Sequence, residues 1–321
     1  MAVGRTIGTE ACFQQPGVVS YPWVGAFLNQ LNCTLNAIFF AGMKRAEGLF
    51  QLETFGALFF VSIVIGLYES FRPVHRKGNP VAGVLARAAS VFLFFGQRLT
   101  AGFTTPFNNV FITWSTASAG AAAKDAASLV PAAEHIWSVL FAGTLTYIVP
   151  TLYTAIKKDY TSLSIWQPFP LYTLVANFVL PPLIRSILLP RLPFSRAQSC
   201  KVGTALIALA GTTLSAAAHW NLIANSLVEN NIDIRDVFLL RAQPAVIAAS
   251  FEHACHLLFT IDFASVLLTN IVIVVPALGE RMGGVARAVV PLVLITAAAG
   301  PGAAIIICWA ATELSRQSAA A

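Results

Sequence analysis

Apolar residues run through this chain in long blocks, without the strict alternation of a half-buried strand. A helix needs about 20 largely apolar residues to cross a bilayer core. About eight stretches approach that length: Tyr21 to Met43, Leu49 to Tyr68, Ala88 to Ile112, Ala133 to Ile156, Ile165 to Leu189, Val202 to Trp220, Phe251 to Pro276 and Ala286 to Ala310. The intervening loops are short except for two. Ser115 to Pro131 is rich in Ala and Ser, and Asn221 to Pro244 holds "ENNIDIRD", whose apolar continuation predicts an amphipathic piece on the membrane surface. No internal repeat is visible, which weighs against an inverted-repeat transporter design. The expectation is an all-α fold, one polytopic integral membrane helical bundle over residues 1–321.

Composition strengthens this reading. Hydrophobic residues make up 57% of the chain, charged ones 11%, and the mean hydropathy is +0.72, far from the average of soluble domains. Residues 1–20 include Arg5, Glu10, Gln14, Gln15 and Pro16 where a cleavable signal would need an apolar core. The net charge of +6 comes from Lys and Arg scattered over the loops, as interfacial anchors are, so nucleic acid is not an expected partner. They divide almost evenly between the two predicted sides, and charge does not orient the bundle. Five scattered cysteines predict no disulfide framework. The expected location is a multi-pass position in an internal membrane, the endoplasmic reticulum.

Candidate chemistry lies in the polar residues that interrupt the blocks. With eight crossings, Glu69, Gln97, Arg98, Trp166, Gln167, His219, Trp220, Glu252, His253, His256 and Asp262 converge on one half of the bilayer, with Tyr21, Trp23, Asn29 and Asn32 beside them. Ionisable side chains in a membrane are expensive and normally face the bundle interior, so Glu69, Arg98, Glu252 and Asp262 are candidates for a site. A carboxyl shielded from water can keep its proton and act as a general acid. Phe92, Phe94, Phe95, Phe103 and Phe107 flank Arg98, and Tyr147, Trp220 and Trp309 sit on other spans. Aromatic faces attract cations, so an acid among such rings suits a reaction through carbocations. Against this, Phe is ordinary lipid-facing filler, and Glu69 with Arg72 at i, i+3 is equally well an interfacial ion pair. His253 and His256 in "EHACH" share a helix face without matching a zinc motif, and no metal or other cofactor is expected. Neither a Gly-rich phosphate loop nor a DDxxD or DxDD motif occurs, which disfavours diphosphate ionisation.

The order Glu69-x-x-Arg72-Pro73, Arg76-x-Gly78-Asn79, Gln97 before Pro106, "IWQPFP" at Ile165 to Pro170, and Asp262 in the penultimate apolar block resembles the fungal transmembrane terpene cyclases of meroterpenoid and indole-diterpene pathways. The resemblance spans the second to the seventh block. It implies a small helical membrane enzyme that cyclises a prenylated or epoxidised lipid-like substrate by protonating a terminal alkene or an epoxide. In that scheme Glu69 is the acid, Arg72 its partner and Asp262 the second acidic residue. Ile261 precedes Asp262 where the family tends to have an aromatic residue, and Arg98 has no counterpart. The expected site therefore comprises Glu69 and Asp262 as catalytic groups, with Arg72, Gln97, Arg98, Phe95, Trp166, Gln167, Trp220, Glu252, His256 and Trp309 binding substrate. A transporter or lipid-binding protein using the same polar residues as a relay remains the alternative.

Overall fold

The computed structural model describes residues 26–228, 232–238 and 250–321. The side chains of Gln97 and Arg98 lie outside this description, as do Tyr21, Trp23 and most of the predicted surface piece after Phe238. Every regular element among the described residues is helical. In chain order the longer ones are α1 (Ala26–Met43), α2 (Ala46–Ser70), α3 (Pro80–Ala86), α4 (Ala89–Leu99), α5 (Ala101–Ser118), α6 (Ala126–Lys157), α7 (Tyr160–Arg191), α8 (Arg196–Leu227), α9 (Phe251–Met282), α10 (Val285–Ala299) and α11 (Pro301–Ala320). Five of them, α2, α6, α7, α8 and α9, are long and apolar enough to cross a membrane.

Helix α2 is the axis. Its run "FGALFFVSIVIGLY" contains no proline and is apolar all round, the mark of a helix buried on every side, and from Phe55 onward most of it is buried. Helices α1, α4, α5, α6, α8, α9 and α11 pack against it. Local signals fix the ends of the neighbours. Asp159 and Ser162 form a capping box that starts α7, and Ser195 with Gln198 does the same for α8.

Two of the predicted spans are not single continuous helices. The block Ala88 to Ile112 breaks at Thr100, whose hydroxyl accepts the Phe103 amide at 3.3 Å and opens a new helix. Helix α5 then runs back along α4 and α3, so that the Asn79 amide donates to the Ser118 hydroxyl at 2.8 Å. Likewise the block Ala286 to Ala310 breaks at Gly300, which holds the left-handed φ of +86° before Pro301 starts α11. At this second tip the Ala303 amide donates to the Ser215 hydroxyl at 2.9 Å, and His219 Nε2 donates to the Ala297 carbonyl at 3.2 Å. Both segments are helical hairpins that enter and leave at one end of the bundle. Apolar residues in hairpin and span look alike; only the caps differ. The structure also shows Cys33 disulfide-bonded, against the expectation from the scattered cysteines.

The hairpins redistribute charge. Arg72, Arg76, Lys77, Arg185, Arg191, Arg196, Lys201, Arg281, Arg287 and Arg316 gather at the end where the hairpins open, whereas Lys44, Arg45, Lys157, Lys158 and Arg235 belong to the other. Basic residues favour the cytoplasmic side. Single cysteines introduced at Asn79 and Ser118 are therefore expected to react with an impermeant maleimide from the cytoplasmic face, and one at Lys158 from the opposite face. Labelling of Asn79 and Ser118 from opposite faces would restore a crossing between them.

Candidate functional site

Around the tip of the first hairpin lies a cavity of about 210 Å³ to which α1, α2, α4, α5, α6, α7 and α9 all contribute. Its aromatic walls are Phe39, Phe55, Phe59, Tyr147, Trp166 and Phe259. The rings brace one another: Phe39 meets Trp166 edge-on at 5.1 Å between centroids, Phe55 stacks on Phe59 at 5.6 Å, and Phe39 approaches Phe259 at 5.2 Å. Their polar edges are spent on the frame. The Tyr147 hydroxyl donates to the Gly56 carbonyl at 2.9 Å, and Trp166 Nε1 donates to Thr151 at 2.8 Å. Ring faces, not donors, are thus left for an occupant.

Two carboxyls line this chamber. Glu53 sits at a partly exposed edge, where Oε2 accepts from Asn221 Nδ2 at 2.7 Å. Asp262 is buried, and its Oδ1 accepts the amide of Gly102 at 3.1 Å, in the first turn of α5. The Ser265 hydroxyl, one turn on, donates to the Gly102 carbonyl at 2.6 Å. Helix α9 thereby caps the start of α5 across the interface, where free amides and the helix dipole favour an acceptor. Only glycine fits, since a Cβ on residue 102 would lie 2.6 Å from Asp262 Oδ1 and 2.9 Å from its Cα.

Glu69 is elsewhere. The last α2 residue on the chamber wall is Phe59, and Glu69 lies about 15 Å further along the helix. There Arg72 grips it in a fork, Nε to Oε2 at 2.5 Å and Nη2 to Oε1 at 2.6 Å. Arg72 also donates from Nη2 to Glu313 Oε1 at 2.6 Å and from Nη1 to the Leu129 carbonyl, while Arg316 pairs with Glu313. Two carboxylates and two guanidiniums are thus balanced in a buried cluster. His75 closes it: Nε2 donates to the Glu69 carbonyl at 2.9 Å, leaving Nδ1 to accept from Ser115 at 3.0 Å. Burial holds this imidazole below its usual range, with the charge of Glu69 opposing, as a neutral ring with one donor and one acceptor requires.

The predicted convergence of all polar residues on one cavity is therefore not met, because the eight-crossing depth scale fails where the hairpins turn. Of the expected site, Asp262 and Trp166 line the chamber. Gln97 and Arg98 belong to the last turn of α4, between the chamber residues Gly96 and Leu99. Gln167 is fully buried but forms no part of the wall. Phe95 and Trp220 face outward, 49% and 56% exposed, because their helices present those positions to the surroundings. Glu252 stays in the first turn of α9 with the Ser250 hydroxyl, and His256 Nε2 donates to the Val237 carbonyl at 3.1 Å. Trp309 packs edge-on against Tyr68 at 4.8 Å, near the Arg72 cluster. Residues passed over were Glu53, Phe39, Phe55, Phe59 and Phe259. Glu53 carried a readable signal, a carboxyl inside an apolar block; the four rings looked like any other Phe.

Removing one partner of a buried ion pair leaves the other uncompensated. Arg72→Ala is expected to destabilise the purified protein by about 3 to 5 kcal/mol, measured as denaturant unfolding in detergent. A loss comparable to that of a surface arginine would contradict the cluster's role. No family model, curated protein or solved structure matches this chain.

Proposed function

We propose that this protein is an integral membrane terpene cyclase of about five crossing helices and two helical hairpins, which protonates a terminal alkene or an epoxide of a polyprenyl substrate with Asp262 as the acid. The observation that carries the reading is a buried carboxyl in the wall of an apolar chamber built from six aromatic rings. An acid delivers the proton that creates the first cation; ring faces then stabilise the migrating charge without supplying a nucleophile. Asp262 Oδ1 accepts from the Gly102 amide, Thr100 and the Ala101 amide also hydrogen-bond the carboxyl, and the proton it transfers leaves toward the chamber that Asp262 lines. The cavity is below the roughly 300 to 1,000 Å³ of pockets that enclose drug-sized ligands. It suits the reacting end of a long chain whose remainder follows the apolar helix faces. Glu69, first choice from the sequence, serves structure, because a carboxylate gripped by a guanidinium fork only accepts hydrogen bonds.

The test is expression in microsomes fed with prenylated phenols and their epoxides, with products resolved by mass spectrometry and NMR. The expected product is an isomer of unchanged mass. Asp262→Asn is expected to lower its formation by about 10² to 10⁴-fold, whereas Glu69→Gln lowers the amount of folded protein but leaves turnover per folded molecule. Phe59→Leu shifts the product distribution. Full turnover by Asp262→Asn would remove that residue as donor. Accumulation of chemically unchanged substrate inside sealed vesicles would favour a transporter.

A further inference from the structure

The bundle end that holds the Arg72 cluster carries a second opening, which the cyclase reading does not use. Glu134, near the start of α6, is buried, its side chain 1% exposed. Arg185 of α7 donates to its Oε1 from Nε at 3.0 Å and from Nη2 at 2.5 Å. Arg196, the first residue of α8, donates from Nη2 to its Oε2 at 3.2 Å. Both carboxylate oxygens are used, and one negative charge holds two positive ones. Yet the arginine side chains are 67% and 72% exposed. Neutralising Glu134 needs only one of them, so the trio keeps a surplus positive charge. Nη1 of Arg185, and Nε and Nη1 of Arg196, make no hydrogen bond among the described residues.

These two arginines line a groove of about 500 Å³ whose other walls are Leu189, Pro190, Phe194 and Ser199. It lies in the connection between α7 and α8, two of the helices long and apolar enough to cross a membrane, and therefore at the depth of lipid headgroups. We propose that this groove binds the phosphate of an anionic membrane lipid, with the phosphate on Arg185 and Arg196 and the glycerol and upper acyl chain against Leu189, Pro190 and Phe194. Three features carry the assignment. The surplus charge is complementary to an anionic headgroup, and basic pockets between spanning helices are suited to such headgroups. Guanidinium forks match phosphate oxygens in paired hydrogen bonds. Glu134 also holds both guanidiniums in place beforehand, which reduces the ordering cost of binding. Arginines that merely snorkel to the interface would not need a shared buried carboxylate.

Native mass spectrometry of the detergent-purified full chain tests this, titrated separately with phosphatidylserine, phosphatidylcholine and inorganic phosphate. The wild type is expected to retain phosphatidylserine about tenfold better than phosphatidylcholine. The double variant Arg185→Gln/Arg196→Gln loses that preference. Arg191→Gln keeps it, because Arg191 Nη1 donates to the Ile187 carbonyl of its own turn and Arg191 does not line the groove. Should the double variant fail to fold, Arg196→Gln alone, in which Arg185 still neutralises Glu134, is expected to lose most of the preference. Equal retention of the two lipids by the wild type, an undiminished preference in these variants, or competition by inorganic phosphate at equal concentration would overturn the proposal.

Discussion

The contact on which the functional half of this molecule depends joins Asp262 to the turn of the first hairpin. A helix that starts inside a bundle exposes amides with no partner in their own helix. Here Asp262 supplies one acceptor from α9, and Ser265 returns a donor to the same residue, Gly102. Without them the break at Thr100 would leave buried polar groups unpaired, each costing about 1 to 3 kcal/mol. One carboxyl thus both seats the hairpin and faces the chamber.

The Arg72 cluster answers a different requirement. The second hairpin returns along α2, and its last helix must be tied to the axis at the end where both hairpins open. Arg72 does this by linking Glu69 of α2 to Glu313 of α11 and to the carbonyl of Leu129. Gln317 of α11 extends the tie to Tyr68 and Thr204 at 3.0 and 2.7 Å. Glu69, Arg72 and Glu313 are buried and Arg316 is partly exposed, and charges so placed are tolerated only as a balanced set. This explains why a carboxylate and an arginine sit one turn apart at the end of so apolar a helix.

The helical class, the membrane character and the burial of Glu69 and Asp262 were legible in the sequence, since apolar block length and the cost of buried charge are local facts; Arg72, equally readable as an interfacial residue, is buried with them. Span number and depth were not. A window over Ala88 to Ile112 averages hydropathy and is blind to a one-residue break, although a threonine at a helix start and the glycine-proline pair at 300–301 were signs of one. Once the first segment turns back, the assignments of side and depth between the two hairpins change, and Glu69 and Asp262 move apart. The near tie in basic charge was a further symptom: folding the hairpins converts it into a clear excess at one end. The ring set of the chamber was hidden because Phe55, Phe59 and Phe259 differ from lipid-facing Phe95 only in which way their helices are rotated.

The central claim is that α4 and α5 form a hairpin whose turn is pinned at Asp262. Val91 and Val110 are both exposed, on helices whose Ala89 and Asn109 border one small common cavity. Spin labels at these two valines, measured by pulsed electron paramagnetic resonance, are predicted to lie within about 20 Å, as on adjacent packed helices whose axes are about 8 to 10 Å apart. A backbone separation near the roughly 28 Å of an uninterrupted helix would contradict the hairpin, and with it the chamber built around its turn.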